Sequence, residues 1–88
     1  MPDEYLPPNK ILFIQNLPDS TTKDTLETLF KTYPNLVEVR TIPGRKNIAF
    51  VEYTDEQSSA VAKEALHNYR LGDGDQALKI KVSFAKLG

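Results

Sequence analysis

The side chains that carry out covalent chemistry are scarce in this sequence. The 88-residue chain has one histidine and no cysteine, which removes thiol nucleophiles, thiolate metal sites and disulfides together. His67 stands near the end of a helical pattern, where an imidazole favours the negative end of the helix dipole, and no Ser-His-Asp order accompanies it. Asp55-Glu56 is a carboxylate pair, but it opens a helical pattern and capping accounts for it. Asp73-Gly74-Asp75 starts like a calcium loop yet lacks the remaining oxygen ligands and the closing Glu, so it reads as a turn. Neither an enzyme nor a bound cofactor is expected. What the sequence offers instead is contact chemistry. Phe13 and Phe50 each sit in a short apolar run, and Arg40, Lys46 and Lys81 supply cations. A flat ring can stack a nucleobase at about 1–3 kcal/mol per base, and a cation can meet a phosphate.

Those residues need elements to position them. Residues 10–15 form a β-branched and aromatic run, ended by the turn chemistry of Asn16-Leu17-Pro18-Asp19, and predict a first strand. Thr21 or Thr22 caps a helix in which Leu26, Leu29, Phe30 and Tyr33 form one stripe at helical spacing, and Pro34 ends it. Residues 36–42 predict a second strand, with Val37, Val39 and Thr41 on one side and Glu38, Arg40 and Ile42 on the other. Pro43-Gly44 opens a loop carrying Arg45 and Lys46, and residues 47–53 predict a third strand. Thr54 or Asp55 caps a second helix whose buried stripe is Val61, Ala62, Ala65, Leu66 and Tyr69. After a flexible loop at 72–75, residues 78–84 alternate as a fourth strand.

The order is βαββαβ, an α+β ferredoxin-like sandwich with a four-stranded antiparallel sheet and two helices on one face. Parity then decides which side chains face water. Leu12 and Ile14 point to the helices, so Ile11, Phe13 and Gln15 point out; Ala49, Val51 and Tyr53 point in, so Ile48, Phe50 and Glu52 point out. In the last strand Leu78, Ile80, Val82 and Phe84 are expected buried, with Lys79, Lys81 and Ser83 exposed. Two phenylalanines on the wet face of neighbouring strands call for something to cover them. That cover is a stacked base, a folded-over terminal segment, or a protein. Gln15, Asn16 and Ser83 offer hydrogen bonds to base edges, although Asn16 fits better as a turn residue.

The same residues resemble a known family. Leu12-Phe13-Ile14-Gln15-Asn16-Leu17 is similar to the hexamer motif of RNA recognition motifs, whose second-position aromatic stacks a base. Lys46-Asn47-Ile48-Ala49-Phe50-Val51-Glu52-Tyr53 resembles the octamer motif K/R-G-F/Y-G/A-F-V-x-F/Y. Asn47 replaces its glycine and Ile48 its third-position aromatic, which removes one stacking platform and leaves an aliphatic contact for a sugar. Residues 8–18, Pro43-Gly44-Arg45, residues 48–53 and Ser83-Phe84-Ala85-Lys86 are further similar to the second, C-terminal motif of the spliceosomal snRNP A and B-double-prime protein family. In that family the first motif carries the snRNA hairpin recognition and the second has no comparably defined RNA role. The resemblance implies a nuclear RNA-binding module acting in pre-mRNA splicing, weak in affinity. Its partners would be single-stranded RNA (snRNA or pre-mRNA) and snRNP proteins. The implied contact set is Phe13, Gln15, Arg40, Lys46, Ile48, Phe50, Lys81 and Ser83. The alternative is a protein-interaction or scaffold domain with little RNA affinity.

Charge bears on that choice. The formal net charge is −1 and the pI about 5.7, whereas a free-standing RNA binder is usually basic. The layout is uneven. Arg40, Lys46, Lys79 and Lys81 oppose only Glu38 and Glu52 on the open face, while the helices carry more acids than bases. The sheet is thus the basic side of a slightly acidic domain, and salt should suppress its binding readily. No apolar run approaches the roughly 18 residues a membrane span needs, so no membrane association is expected. Residues 1–8, with Pro7-Pro8, read as a stiff extended lead-in rather than a signal peptide, and 9–88 as one monomeric domain within a longer protein.

Overall fold

The computed structural model describes residues 7–86. Most of the expected lead-in, residues 1–6, lies outside them; Pro7 and Pro8 are exposed. The elements run β1 (Ile11–Gln15), α1 (Lys23–Lys31), β2 (Leu36–Ile42), β3 (Arg45–Tyr53), α2 (Glu56–Leu66), β4 (Arg70–Leu71), β5 (Leu78–Lys79) and β6 (Lys81–Phe84). A single 3₁₀ turn, Gly74–Gln76, lies between β4 and β5, where a flexible loop was expected. Four strands form one antiparallel sheet in the order β2-β3-β1-β6, and β4 and β5 form a separate hairpin.

Both helices pack on one face of that sheet. Their apolar residues Leu26, Phe30, Ala62 and Leu66 meet Leu12 and Ile14 of β1, Ala49, Val51 and Tyr53 of β3, and Val82 of β6 in one cluster. Strict alternation of buried and half-buried residues along β1 and the second half of β3 confirms the parity argued for these strands. Tyr53 is fully buried, and its hydroxyl donates to the Phe30 carbonyl at 2.7 Å, so its one polar atom is satisfied inside the core. Burial also pushes the Tyr53 phenol pKa up.

Each helix begins where its cap directs. The Thr22 hydroxyl accepts from the Thr25 amide, and the Asp55 carboxylate accepts from the Ser58 amide at 2.7 Å. Hydrogen bonds from Ser58, its amide contributing most, and from the Thr54 hydroxyl hold the Asp55 carboxyl below its ordinary pKa.

Four expectations are corrected. Strand β3 starts at Arg45, two residues early. The Pro43-Gly44 turn, with Gly44 at φ +79°, closes the hairpin at once and pairs Ile42 with Arg45. In β2 a bulge between Leu36 and Glu38 breaks the alternation, so Val37 is exposed and only Val39 is fully buried. In α2 the buried stripe is Ser59, Ala62 and Leu66. Val61 and Ala65 are exposed, and Tyr69 lies beyond the helix end, also exposed. Ser59 can be buried because its hydroxyl donates to the Asn9 carbonyl at 2.6 Å.

The expected last strand is split at Ile80. Leu78 pairs with Leu71 in the small hairpin and is exposed, Phe84 is only half-buried, and Ser83, expected exposed, is buried. Alternation records which face a side chain takes; it is blind to which neighbour the backbone pairs with.

His67 ends α2, and its Nδ1 accepts the Val82 amide at 3.1 Å, which ties the helix end to β6. That is a specific contact rather than a dipole effect alone.

Candidate nucleic-acid interface

The sheet face opposite the two helices is built around its two central strands. Phe13 of β1 and Phe50 of β3 are direct cross-strand partners, and their ring centroids lie 5.1 Å apart with planes 28° from parallel. Such a pair stabilises itself by offset stacking, which holds both rings in place before any ligand arrives. Ile48 and Gln15 lie half-buried on the same face, Gln15 opposite Lys81 of β6. Lys46 is exposed at the start of β3. The structure therefore gathers Phe13, Gln15, Ile48 and Phe50 into one surface, with Lys46 and Lys81 at its ends.

Two predicted contact residues are placed differently. Ser83 pairs with Phe13 but is only 8% exposed, and its hydroxyl faces the Phe13 carbonyl at 3.5 Å, a long separation. Arg40 pairs with Phe50 and is exposed, yet its guanidinium is engaged. Nε donates to Glu38, and Nη2 donates to Glu52 at 3.2 Å. The hydrogen bond to Glu38 is the chief cause of an Arg40 pKa raised above its usual value. Lys10 adds a third ion pair, with its ammonium 3.7 Å from the other Glu52 oxygen. Lys81 donates to the side-chain carbonyl of Asn68, a neutral partner, and keeps its charge available.

Sequence reasoning missed two further groups. Asn47, where the octamer motif has glycine, donates to the Leu17 carbonyl at 2.6 Å and to Asp19 at 2.8 Å. The Leu17 amide returns a bond to the Asn47 carbonyl, so this residue fastens β3 to the loop after β1. Asn16 has the turn role expected for it, at φ +64°, with its side chain donating to the Lys79 carbonyl. The second group is a cavity of about 220 Å³ beside Phe50, walled by Ile11, Arg40, Glu52, Ala85 and Lys86. Ile11 and Glu52 had been assigned to the open face by parity, but the approach of residues 85 and 86 depends on the chain fold. Among the described residues no cluster of His, Asp or Glu could hold a metal ion, and no helix is long and apolar enough to cross a membrane.

The family profile of the RNA recognition motif matches residues 12–75, which span both motif strands and both helices. The chain belongs to the RNA recognition motif family. It is 45% identical to the U1 small nuclear ribonucleoprotein A of Drosophila melanogaster over 80 residues, 91% of this chain and 36% of that protein. Against the U2 small nuclear ribonucleoprotein B'' of Arabidopsis thaliana identity is 42% over 83 residues, 94% of this chain and 34% of the relative. The chain thus spans about a third of the length of these relatives. Among solved structures, the RNA recognition motif domain of Schizosaccharomyces pombe Puf1 superposes with a TM-score of 0.72 at 29% identity, covering 89% of this chain and 99% of that one. The RNA15 domain, at 23% identity, covers 90% of this chain and 92% of its own with a TM-score of 0.76, and supports the fold alone. Both place this RNA recognition motif in the ferredoxin-like α+β class.

Proposed function

We propose that this domain binds single-stranded RNA on its open sheet face, with bases stacked on Phe13 and Phe50, within a nuclear protein of the snRNP A and B'' kind that acts in pre-mRNA splicing. The observation that carries the reading is the pre-stacked ring pair on the sheet face that no helix among the described residues covers. Gln15 would read a base edge, Ile48 would pack on a sugar, and Lys46 and Lys81 would meet phosphates. Arg40 would join them only after leaving its two carboxylates. Ser83 would contribute through its position beside Phe13 rather than through a free hydroxyl. The RNA would be snRNA or pre-mRNA, with snRNP proteins as further partners, and residues 9–88 would act as one monomeric unit after the lead-in. Few free cations make this a weak, salt-sensitive binder.

An amide chemical-shift titration with short pyrimidine, purine and mixed RNAs at low salt tests it. Shifts should cluster on β1 and β3. Phe13→Ala and Phe50→Ala should each weaken binding by about 5-fold to 150-fold, the equivalent of one lost stack, without unfolding the domain. Silence on both strands for every RNA would end the proposal.

The engagement of Arg40 and Lys10 by carboxylates supports one second reading, a protein-binding sheet with little RNA affinity. Silence to RNA would leave it standing.

A further inference from the structure

We infer that Glu52 sets base preference on this face, selecting a stacked base with an exocyclic amino group over uracil. The inference deepens the stacking reading of Phe50 and rests on it.

Glu52 follows Phe50 by two residues on β3, so both share the open face at a separation of about 6.7 Å along the strand. A base lying on the Phe50 ring therefore extends its edge toward the Glu52 carboxylate. Ile11, the cross-strand partner of Glu52, and the Phe50 ring give this cavity its apolar surface, Glu52 is its one anionic group, and Arg40, Lys86 and Asn9 complete its polar lining. The Glu52 side chain is only 19% exposed, so a base seated there would meet it with little intervening water.

An ionised carboxylate accepts hydrogen bonds and cannot donate them, with about four acceptor positions on its two oxygens. Arg40 uses one on Oε1, and Lys10 lies beside Oε2, which leaves acceptor capacity on both. Cytosine and adenine present an amino donor at N4 or N6, whereas uracil presents the O4 carbonyl in the same place. A carbonyl oxygen against a carboxylate puts two acceptors together with no proton between them. Arg40 keeps three N–H groups beyond those given to Glu38 and Glu52, and Lys86 also lines the cavity, but both can meet the O2 carbonyl that cytosine and uracil share, so the difference between the two bases lies at the edge set against Glu52.

The test compares fluorescently labelled oligo(C) and oligo(U) RNAs, about eight nucleotides long, by anisotropy at low salt. Equal ring size keeps stacking nearly constant between the two, so their affinity ratio reports the edge contact. The wild-type domain should favour oligo(C) by about 5-fold or more. Glu52→Gln should bring the ratio within about 2-fold, because an amide can donate to O4 as well as accept from N4. Glu38→Gln removes the same charge and also loosens Arg40, but does not line the cavity, and should keep the wild-type ratio. A wild-type ratio near one, or an equal change in both variants, overturns the inference and leaves Phe50-dependent binding intact. Binding to neither RNA, or binding indifferent to Phe50→Ala, removes the stacking reading and this inference with it.

Discussion

Replacing Glu38 by glutamine should release Arg40 to a phosphate, and the size of the effect follows from the ion pairs. In the native face Arg40 is shared between Glu38 and Glu52, and Lys10 faces the second Glu52 oxygen. Of the cations in the proposed contact set, that leaves Lys46 and Lys81 with no carboxylate partner among the described residues. Two phosphate contacts on a single strand give a slope of log K against log salt of about −1.4, and a third contact from Arg40 steepens it to about −2.1. Over a change from about 50 to 200 mM salt, that difference is worth about 2.6-fold in the ratio of variant to wild-type affinity. The assay is anisotropy with one labelled RNA at four or five salt concentrations. The variant's stability should be unchanged, since both partners of the lost pair are exposed. Removing an anion also raises the local potential, so the double variant Glu38→Gln, Arg40→Gln separates the two causes. If the steeper slope survives loss of Arg40, the guanidinium was never the group being withheld, and the account of this face is wrong.

Three further predictions concern the frame around the site. Tyr53→Phe removes the buried hydrogen bond to Phe30 and should cost about 0.5–1.5 kcal/mol, read as a melting-temperature drop of about 4–8 °C per kcal/mol. Because burial raises the Tyr53 pKa, its stabilising effect is complete below the ordinary tyrosine value of about 10 and is lost as pH rises beyond it, so the phenylalanine variant should show a flatter alkaline decline in denaturant titrations. Asp55 has the opposite sign. Its lowered pKa adds stability above the ordinary carboxylate range that disappears as pH falls, and Asp55→Asn, which can still cap the helix, should flatten that acid limb in urea melts. Asn47→Gly, the residue the octamer motif prefers, deletes both bonds to the loop after β1 and should destabilise by about 1–3 kcal/mol, with RNA affinity per folded molecule unchanged.

How much of this was legible in sequence depends on what decides each feature. The facing of Leu12, Ile14, Ala49 and Val51, and hence of Phe13 and Phe50, follows from alternation within single strands, and one strand contains all the information needed. Caps at Thr22 and Asp55 are equally local. The features that escaped are set by a distant partner. Ser59 reads as a surface helix residue until the Asn9 carbonyl, 50 positions away, is placed beside it. The break at Ile80 depends on Asn68 and Tyr69 exchanging backbone bonds with that residue, which diverts residues 78 and 79 into a separate hairpin. The capture of Arg40 by Glu52 requires the β2–β3 register, and the Leu36–Glu38 bulge alters that register. Counting cations on the open face therefore overstated its positive charge. Parity placed the side chains of β1 and β3 correctly, but only the pairing shows which charges neutralise each other.

The retention of Glu38 and Glu52 beside a stacking platform has a physical rationale in the unliganded state. β2 is an edge strand, one strand from the Phe50 ring, and the unpaired backbone groups of such an edge invite pairing with another chain. Charged side chains along that edge, with the bulge that exposes Val37, disfavour such pairing and keep water on the face. The same charges limit what RNA gains on arrival. A phosphate that takes Arg40 exchanges one anion for another, so its net electrostatic return is small, while the displaced carboxylates must be rehydrated. Stacking involves no such exchange, because the rings are already ordered and only water leaves them. On the proposed reading the affinity is therefore carried by the rings and the bases they stack, and of the two carboxylates that hold Arg40 back from phosphate only Glu52 lines the cavity where it would meet a base edge.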